Sequence, residues 1–170
     1  MGQANIPLII AVIGGSDPPP EALTNAYQVG KELAQRGAIV ICGGLSGVME
    51  AVCKGASDAG GTTIGILPGD DPGIANAYVS IPIATGLGYA RNAIITKAAR
   101  AVIAIDGAFG TLSEIGHALA DGTTVVGLDT WRFSTNGQES TAIVEATDPV
   151  DAAQKAIAAA EERQRKEAAA

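Results

Sequence analysis

The stretch Leu8-Ile9-Ile10-Ala11-Val12-Ile13-Gly14-Gly15-Ser16-Asp17 decides the fold. Leu8 to Ile13 is an unbroken apolar run with no polar face, the pattern of a strand buried on both sides. It stops at Gly14-Gly15-Ser16-Asp17 and Pro18-Pro19-Pro20, which mark a loop. From Glu21 to Arg36, residues Leu23, Ala26, Tyr27, Gly30, Leu33 and Ala34 fall at helical spacing, and Gly37 is the stop. A buried strand, a Gly-rich turn and an amphipathic helix together make the unit of a parallel sheet clad in helices.

The same unit recurs outward from this stretch. Ala38 to Cys42 is a second strand, followed by Gly43-Gly44-Leu45-Ser46-Gly47 and a helix with Val48, Val52 and Ala56 on one face, closed by Gly60-Gly61. Thr62 to Leu67 is a third strand, Asp70 to Asn76 a loop, and Tyr78 to Ile83 a short strand. Gly86-Leu87-Gly88 introduces a helix over Tyr89 to Arg100. A strand at Ala101 to Ile105, a helix at Gly110 to Ala120 and a strand at Thr124 to Leu128 follow. Trp131 to Glu139 is a polar excursion, and Ala142 to Val144 is either a strand or a turn. Asp148-Pro149 starts a final helix, with Pro at its first position. That helix runs to about Glu162, and Arg163 to Ala170 fray. The fold class is α/β, a three-layer α/β/α arrangement with a mainly parallel sheet in a single domain over 1–170. Ligands of such sheets bind beyond the carboxyl ends of the strands.

Composition narrows this further. The 170 residues include 32 Ala and 22 Gly, about a third of the chain, against only six aromatics. A core of such small side chains must bring helices close to the sheet, because few bulky groups are present to fill wider gaps. The net charge of -7 argues against a nucleic-acid polymer as partner, which would require a basic stripe. Cys42, Cys53 and His117 cannot supply a four-ligand zinc site, and no metal site is expected. Both cysteines read as small core residues and His117 as a partly buried helix residue. The N-terminus has no basic region, and its apolar run is too short for a signal peptide or a membrane span, so a soluble cytoplasmic protein is expected.

Three glycine loops fall at strand ends: Gly14-Gly15-Ser16, Gly43-Gly44-Leu45-Ser46-Gly47 and Gly107-Ala108-Phe109-Gly110-Thr111. The second and third open directly into helices, whose first N–H groups and partial positive charge suit an oxyanion. None matches GxGxxG or GxxxxGK[ST], so neither NAD nor ATP is indicated. Arg91 lies near a helix start, where a cation opposes the helix dipole. Pairing with an anionic ligand offsets that cost, whereas a solvated surface Arg is the bland alternative. Glu114 follows Gly110-Thr111 in what reads as the first helical turn. Glu114 and His117 have the i, i+3 spacing of a metal pair, but no second such pair exists.

The stretches CGGLSGVMEAVCKGASDAGGTTIGILPGDD (42–71), IPIATGLGYARNAI (81–94) and DGAFGTLSEI (106–115) resemble the SLOG-type Rossmann proteins. They look closest to the molybdenum cofactor carrier-like branch. They resemble the lonely-guy-type phosphoribohydrolases, formerly called lysine decarboxylases, more distantly. The resemblance implies a Rossmann-like fold and, residue by residue, places Gly43, Gly44, Gly47, Met49, Arg91, Gly110, Thr111 and Glu114 at a ligand site; the glycine loops add Gly14, Gly15, Ser16, Ser46 and Gly107 to the expected site, and Asn92 adjoins Arg91. It implies a carrier for an anionic phosphorylated small molecule such as molybdenum cofactor, with no cofactor required for folding. The alternative it implies is a hydrolase releasing a free base from a nucleoside 5′-monophosphate, in which Arg91 and Glu114 are catalytic. A nucleotide-binding module without turnover is a third reading. Whether the chain is an enzyme stays open on these residues. Asp106 and Ala108 depart from the Pro and Gly of the hydrolases, adding a charge and a Cβ at the anion turn. The resemblance also implies a homo-oligomer, a dimer or tetramer.

Overall fold

The computed structural model describes residues 7–169. Residues 1–6, which bear on the targeting expectation, and Ala170 lie outside the described residues. The strands are β1 (Ile9–Gly14), β2 (Ile39–Cys42), β3 (Thr63–Leu67), β4 (Ile81–Ala84), β5 (Ala101–Ile105), β6 (Thr124–Leu128), β7 (Ser134–Thr135), β8 (Gln138–Glu139) and β9 (Ile143–Glu145). Seven of them form one sheet in the order β4-β3-β2-β1-β5-β6-β9, and every pairing in it is parallel. The antiparallel pair β7-β8 stands apart as a small ribbon.

Alternation along the strands feeds two cores. Ile10 and Val12 of β1 join Val40, Ile103 and Ile105 on the face covered by α1 (Pro20–Gln35), α2 (Val48–Asp58) and α5 (Pro149–Ala168). Ala11 and Ile13 join Ile41, Val102 and Ala104 on the face covered by α3 (Asn92–Ala98) and α4 (Phe109–Ala120). Both faces of the strands are buried, so a continuous apolar run and a parallel sheet go together here.

Small residues set the spacing, as the composition requires. Gly30 of α1 and Gly55 of α2 face each other so closely that a Cβ on Gly30 would lie 2.1 Å from the Val52 carbonyl oxygen, and one on Gly55 1.9 Å from that of Tyr27. On α5 the buried residues are all alanines: Ala152, Ala153, Ala156 and Ala160.

Five expectations change in detail. The helix expected over Tyr89 to Arg100 divides into a 3-10 turn, Gly88–Arg91, and α3. The strand expected over Tyr78 to Ile83 begins only at Ile81, because the Thr63 hydroxyl donates to the Tyr78 carbonyl at 2.6 Å and accepts from the Ser80 N–H at 2.8 Å. These side-chain bonds replace a backbone ladder there. Ala142 to Val144, left between strand and turn, contributes to β9 at the sheet edge. The C-terminal segment does not fray at Arg163, since α5 continues to Ala168. Arg163 donates to the Thr123 hydroxyl at 2.6 Å, and Glu167 pairs with both Arg163 and Arg100. Local periodicity carries no sign of those long-range ties. His117 is exposed on α4 rather than partly buried.

Candidate functional site

The chain runs outward from β1 to β4, then returns to place β5 on the other side of β1. A cleft forms where the strand order reverses, at the carboxyl ends of β1 and β5. There a cavity of about 240 Å³ is lined by Gly14, Gly15 and Ser16 after β1, and by Gly43, Leu45 and Met49 after β2. Tyr89, Arg91 and Asn92 close it from the 3-10 turn and α3, and Ala108, Gly110, Thr111 and Glu114 from the start of α4. Ten expected residues thus share one cavity. Gly44, Ser46, Gly47 and Gly107 do not line it, and Ser46 and Gly47 tie the loops together instead.

Their supporting roles are specific. Gly47, at φ 69°, begins α2, and a Cβ there would lie 2.4 Å from the Gly15 carbonyl oxygen. The next N–H, of Val48, donates to that carbonyl at 3.0 Å, and the Ser46 hydroxyl donates to the Ser16 carbonyl at 3.3 Å. One N–H at the start of α2 is therefore engaged in tying the first two loops together. At α4 no side chain caps the N-terminus. The orphan N–H groups of its first turn lie among residues that line the cavity.

Arg91 is buried, at 8% exposure, and so is Glu114, at 6%. Its burial overturns the surface alternative for Arg91. The 3-10 turn carries Arg91 back over Gly43, where a Cβ would meet the guanidinium Nη2 at 2.6 Å and the Met49 Sδ at 2.6 Å. Gly43 is thus a matter of space for the cation. Arg91 donates to the Asn92 side-chain carbonyl, and Asn92 in turn donates to the Ser113 hydroxyl at 3.3 Å. The Arg91 Nε is buried with no hydrogen-bond partner among the described residues. Glu114 sits in the second turn of α4, not the first, because the helix starts at Phe109. Its carboxylate stands 3.7 Å from Arg91, too far for a hydrogen bond. The lining residues missed in the sequence are Val12, Ile13, Leu45 and Tyr89, while Ala108 puts its Cβ in the cavity wall at the anion turn. Among them, only Tyr89, an aromatic that is 88% exposed beside the Arg91 turn, carried a readable signal.

Burial raises the Glu114 pKa from 4.5 to about 7, and the Arg91 charge only partly opposes this. Burial also lowers the Arg91 pKa, against the attraction of Glu114, and leaves the guanidinium charged. A carboxyl with a raised folded pKa holds its proton longer in the native state than in the unfolded chain. Stability is therefore highest below the unfolded value and falls as pH rises through 4.5 toward 7. The shift corresponds to roughly 3 kcal/mol. Urea unfolding at pH 4.5 and pH 8 is expected to show this loss in the native protein and a shallower one in Glu114→Gln; parallel profiles would refute it.

Beneath the Gly43 loop, the thiols of Cys42 and Cys53 lie 3.5 Å apart, both buried. The bond to Cys53 and burial push the Cys42 thiol well up, so it stays neutral, as a core residue should. Among the described residues no group of three or more His, Cys, Asp or Glu side chains could hold a metal ion. No helix of the described residues is long and apolar enough to cross a membrane. A second cavity, of about 280 Å³, lies under the β7-β8 ribbon, but its ion pair, Arg132–Glu145, is 70% and 66% exposed. The buried pair makes the first cavity the better candidate.

The SLOG cluster4 family matches residues 7–162. The structure of the molybdenum cofactor binding protein from Rippkaea orientalis superposes with a TM-score of 0.81 and 33% identity, covering 91% of this chain and 98% of that one. The molybdenum cofactor carrier protein from Chlamydomonas reinhardtii gives 0.78 and 35%, covering 95% and 99%. An uncharacterized protein of Archaeoglobus fulgidus is 44% identical over 119 residues, 70% of this chain and 78% of that relative. A DNA processing protein A from Helicobacter pylori, at 19% identity and a TM-score of 0.67, shares the fold alone. With its parallel sheet, its cleft at the β1-β5 reversal and a match over nearly its whole length, this chain belongs to the SLOG cluster4 family.

Proposed function

We propose that the chain is a binding or carrier protein for an anionic phosphorylated small molecule, and that this molecule is molybdenum cofactor or a close pterin relative. The observation that carries the reading is Arg91, a buried guanidinium with an unpartnered Nε, beside an uncapped helix N-terminus in one cleft. Such a cation and such N–H groups stabilise an oxyanion by charge-assisted hydrogen bonds. The likeness to the Rippkaea orientalis and Chlamydomonas reinhardtii proteins supports the choice of ligand. A cavity of about 240 Å³ accommodates a phosphate and part of its carrier, leaving a planar ring to lean on Tyr89 at the rim. In this reading Gly14, Gly15, Ser16, Gly43, Met49, Arg91, Asn92, Gly110, Thr111 and Glu114 contact the ligand, and Ser46 and Gly47 hold the first two loops together.

Because the net charge is -7, the attraction must come from these local groups rather than the overall field. A homo-oligomer belongs to the same proposal, supported by the apolar edge at β4, where Ile81 and Ile83 are each nearly half exposed. Native mass spectrometry of protein purified without oxygen from cells that make the cofactor is expected to show a bound mass equal to the cofactor. If the protein emerges ligand-free and neither retains added cofactor nor slows its oxidation, the carrier reading fails.

A further inference from the structure

The groups around the cavity are unequal to a fully deprotonated anion. One guanidinium, Arg91, faces one carboxyl, Glu114, and a second, Asp106, stands by the Gly15 loop. Glu114 looks in from α4 and, among the described residues, its carboxylate makes no hydrogen bond, only the 3.7 Å pairing with Arg91. Asp106, at the end of β5, brings an oxygen to 3.6 Å from where a Cβ on Gly15 would stand. The other titratable groups near Arg91 are the neutral Cys42 thiol and the Tyr89 hydroxyl, while His117 on α4 is exposed. An oxyanion seated on Arg91 therefore meets a buried carboxyl that can only accept when ionised. Two acceptors facing each other without a proton repel, and burial enlarges the cost.

We propose that the site takes its oxyanion together with one proton, shared between the anion and the Glu114 carboxyl, so that the preferred ligand group is a phosphate bearing a P–OH. This rests on the anion-binding reading above and adds the protonation state of the ligand and a residue that reads it. Glu114 in its acid form donates to an acceptor-only anion. Glu114 in its carboxylate form accepts from a P–OH. One proton suffices in either case, and no covalent bond is made or broken. Burial, which already holds the Glu114 proton to about pH 7, makes the acid form accessible near neutrality. A phosphate monoester loses its second proton near pH 6, so its binding weakens as pH rises above 7. A carrier built this way loads at lower pH and releases at higher pH.

Inorganic phosphate and sulfate separate the two sources of the proton. Sulfate has none to offer, so its dissociation constant, measured by equilibrium dialysis from pH 6 to 9, is expected to rise about tenfold per unit above pH 7. Phosphate remains HPO₄²⁻ across the upper range and is expected to hold nearly constant from pH 7.5 to 9. Titration calorimetry in buffers of different ionisation enthalpy is expected to show uptake of close to one proton per sulfate at pH 8 and little for phosphate. In Glu114→Gln the amide donates to both anions, so the difference in pH profile is expected to vanish. Equal and pH-independent binding of both anions by the native protein would overturn the shared proton while leaving the anion site standing. Absence of binding by either anion at every pH would overturn the anion site and this inference with it.

Discussion

Arg91→Ala is expected to weaken binding of inorganic phosphate by a factor of 30 to 1,000 without unfolding the protein. The guanidinium is buried over Gly43, and a charge-assisted hydrogen bond in such a place contributes about 2–4 kcal/mol. Its removal does not strand a charge, because Glu114 then takes up a proton and becomes a neutral acid. Circular dichroism and thermal unfolding of the variant are accordingly expected to stay close to those of the native protein at pH 6. Arg91→Lys is expected to recover only part of the affinity, since an ammonium cannot lie flat over Gly43 or spread its donors in a planar fork. Equilibrium dialysis against phosphate decides the point: retention within threefold by Arg91→Ala would mean that the cavity is not where the anion binds.

Gly55→Val is expected to cost more than 3 kcal/mol, lowering Tm by roughly 6–12 °C or more. Even a single Cβ at this position would stand 1.9 Å from the Tyr27 carbonyl oxygen, and that oxygen is α1 backbone, which no rotamer change can move aside. Gly30 meets the Val52 carbonyl in the same way from the opposite helix, so moving the helices apart to admit the side chain also opens that contact. Gly116→Ala provides the contrast. It lies in α4 with nothing within 4 Å of the added Cβ, and there the better helix propensity of Ala is expected to stabilise by about 0.5–1 kcal/mol. Calorimetric melting temperatures moving in the same direction for both variants would contradict this account of the α1-α2 contact.

The sheet and its helices were legible because burial on both faces writes itself as unbroken apolar runs: Ile10 to Ile13 and Ala101 to Ile105 are buried strand residues in fact. What escaped depends on contacts distant in the chain. Thr63 decides where β4 begins, and Thr123, Arg100 and Glu167 decide that the last helix continues. At the cavity, the loops and Arg91 were readable from glycine placement and from a cation where the helix dipole disfavours one, whereas Glu114 entered through the family resemblance. The depth of Arg91 was not, because it follows from a 3-10 turn that folds the side chain back over Gly43. Nor was the distinction between Gly43, which makes room for a guanidinium, and Gly47, which holds two loops together; both are simply Gly in the sequence.

The strand order has a consequence for the time course of folding. β1 pairs with β2 on one side and, only after some ninety residues of intervening chain, with β5 on the other. The cleft straddles that seam, so neither half of the molecule can contain it alone. Closing the seam joins segments far apart in sequence, the kind of non-local pairing that slows folding. A ligand in the cleft then recognises the completed molecule and nothing earlier. Its binding opposes separation of the two halves in proportion to its free concentration, so ligand supply in the cell would also govern how long each newly made chain survives.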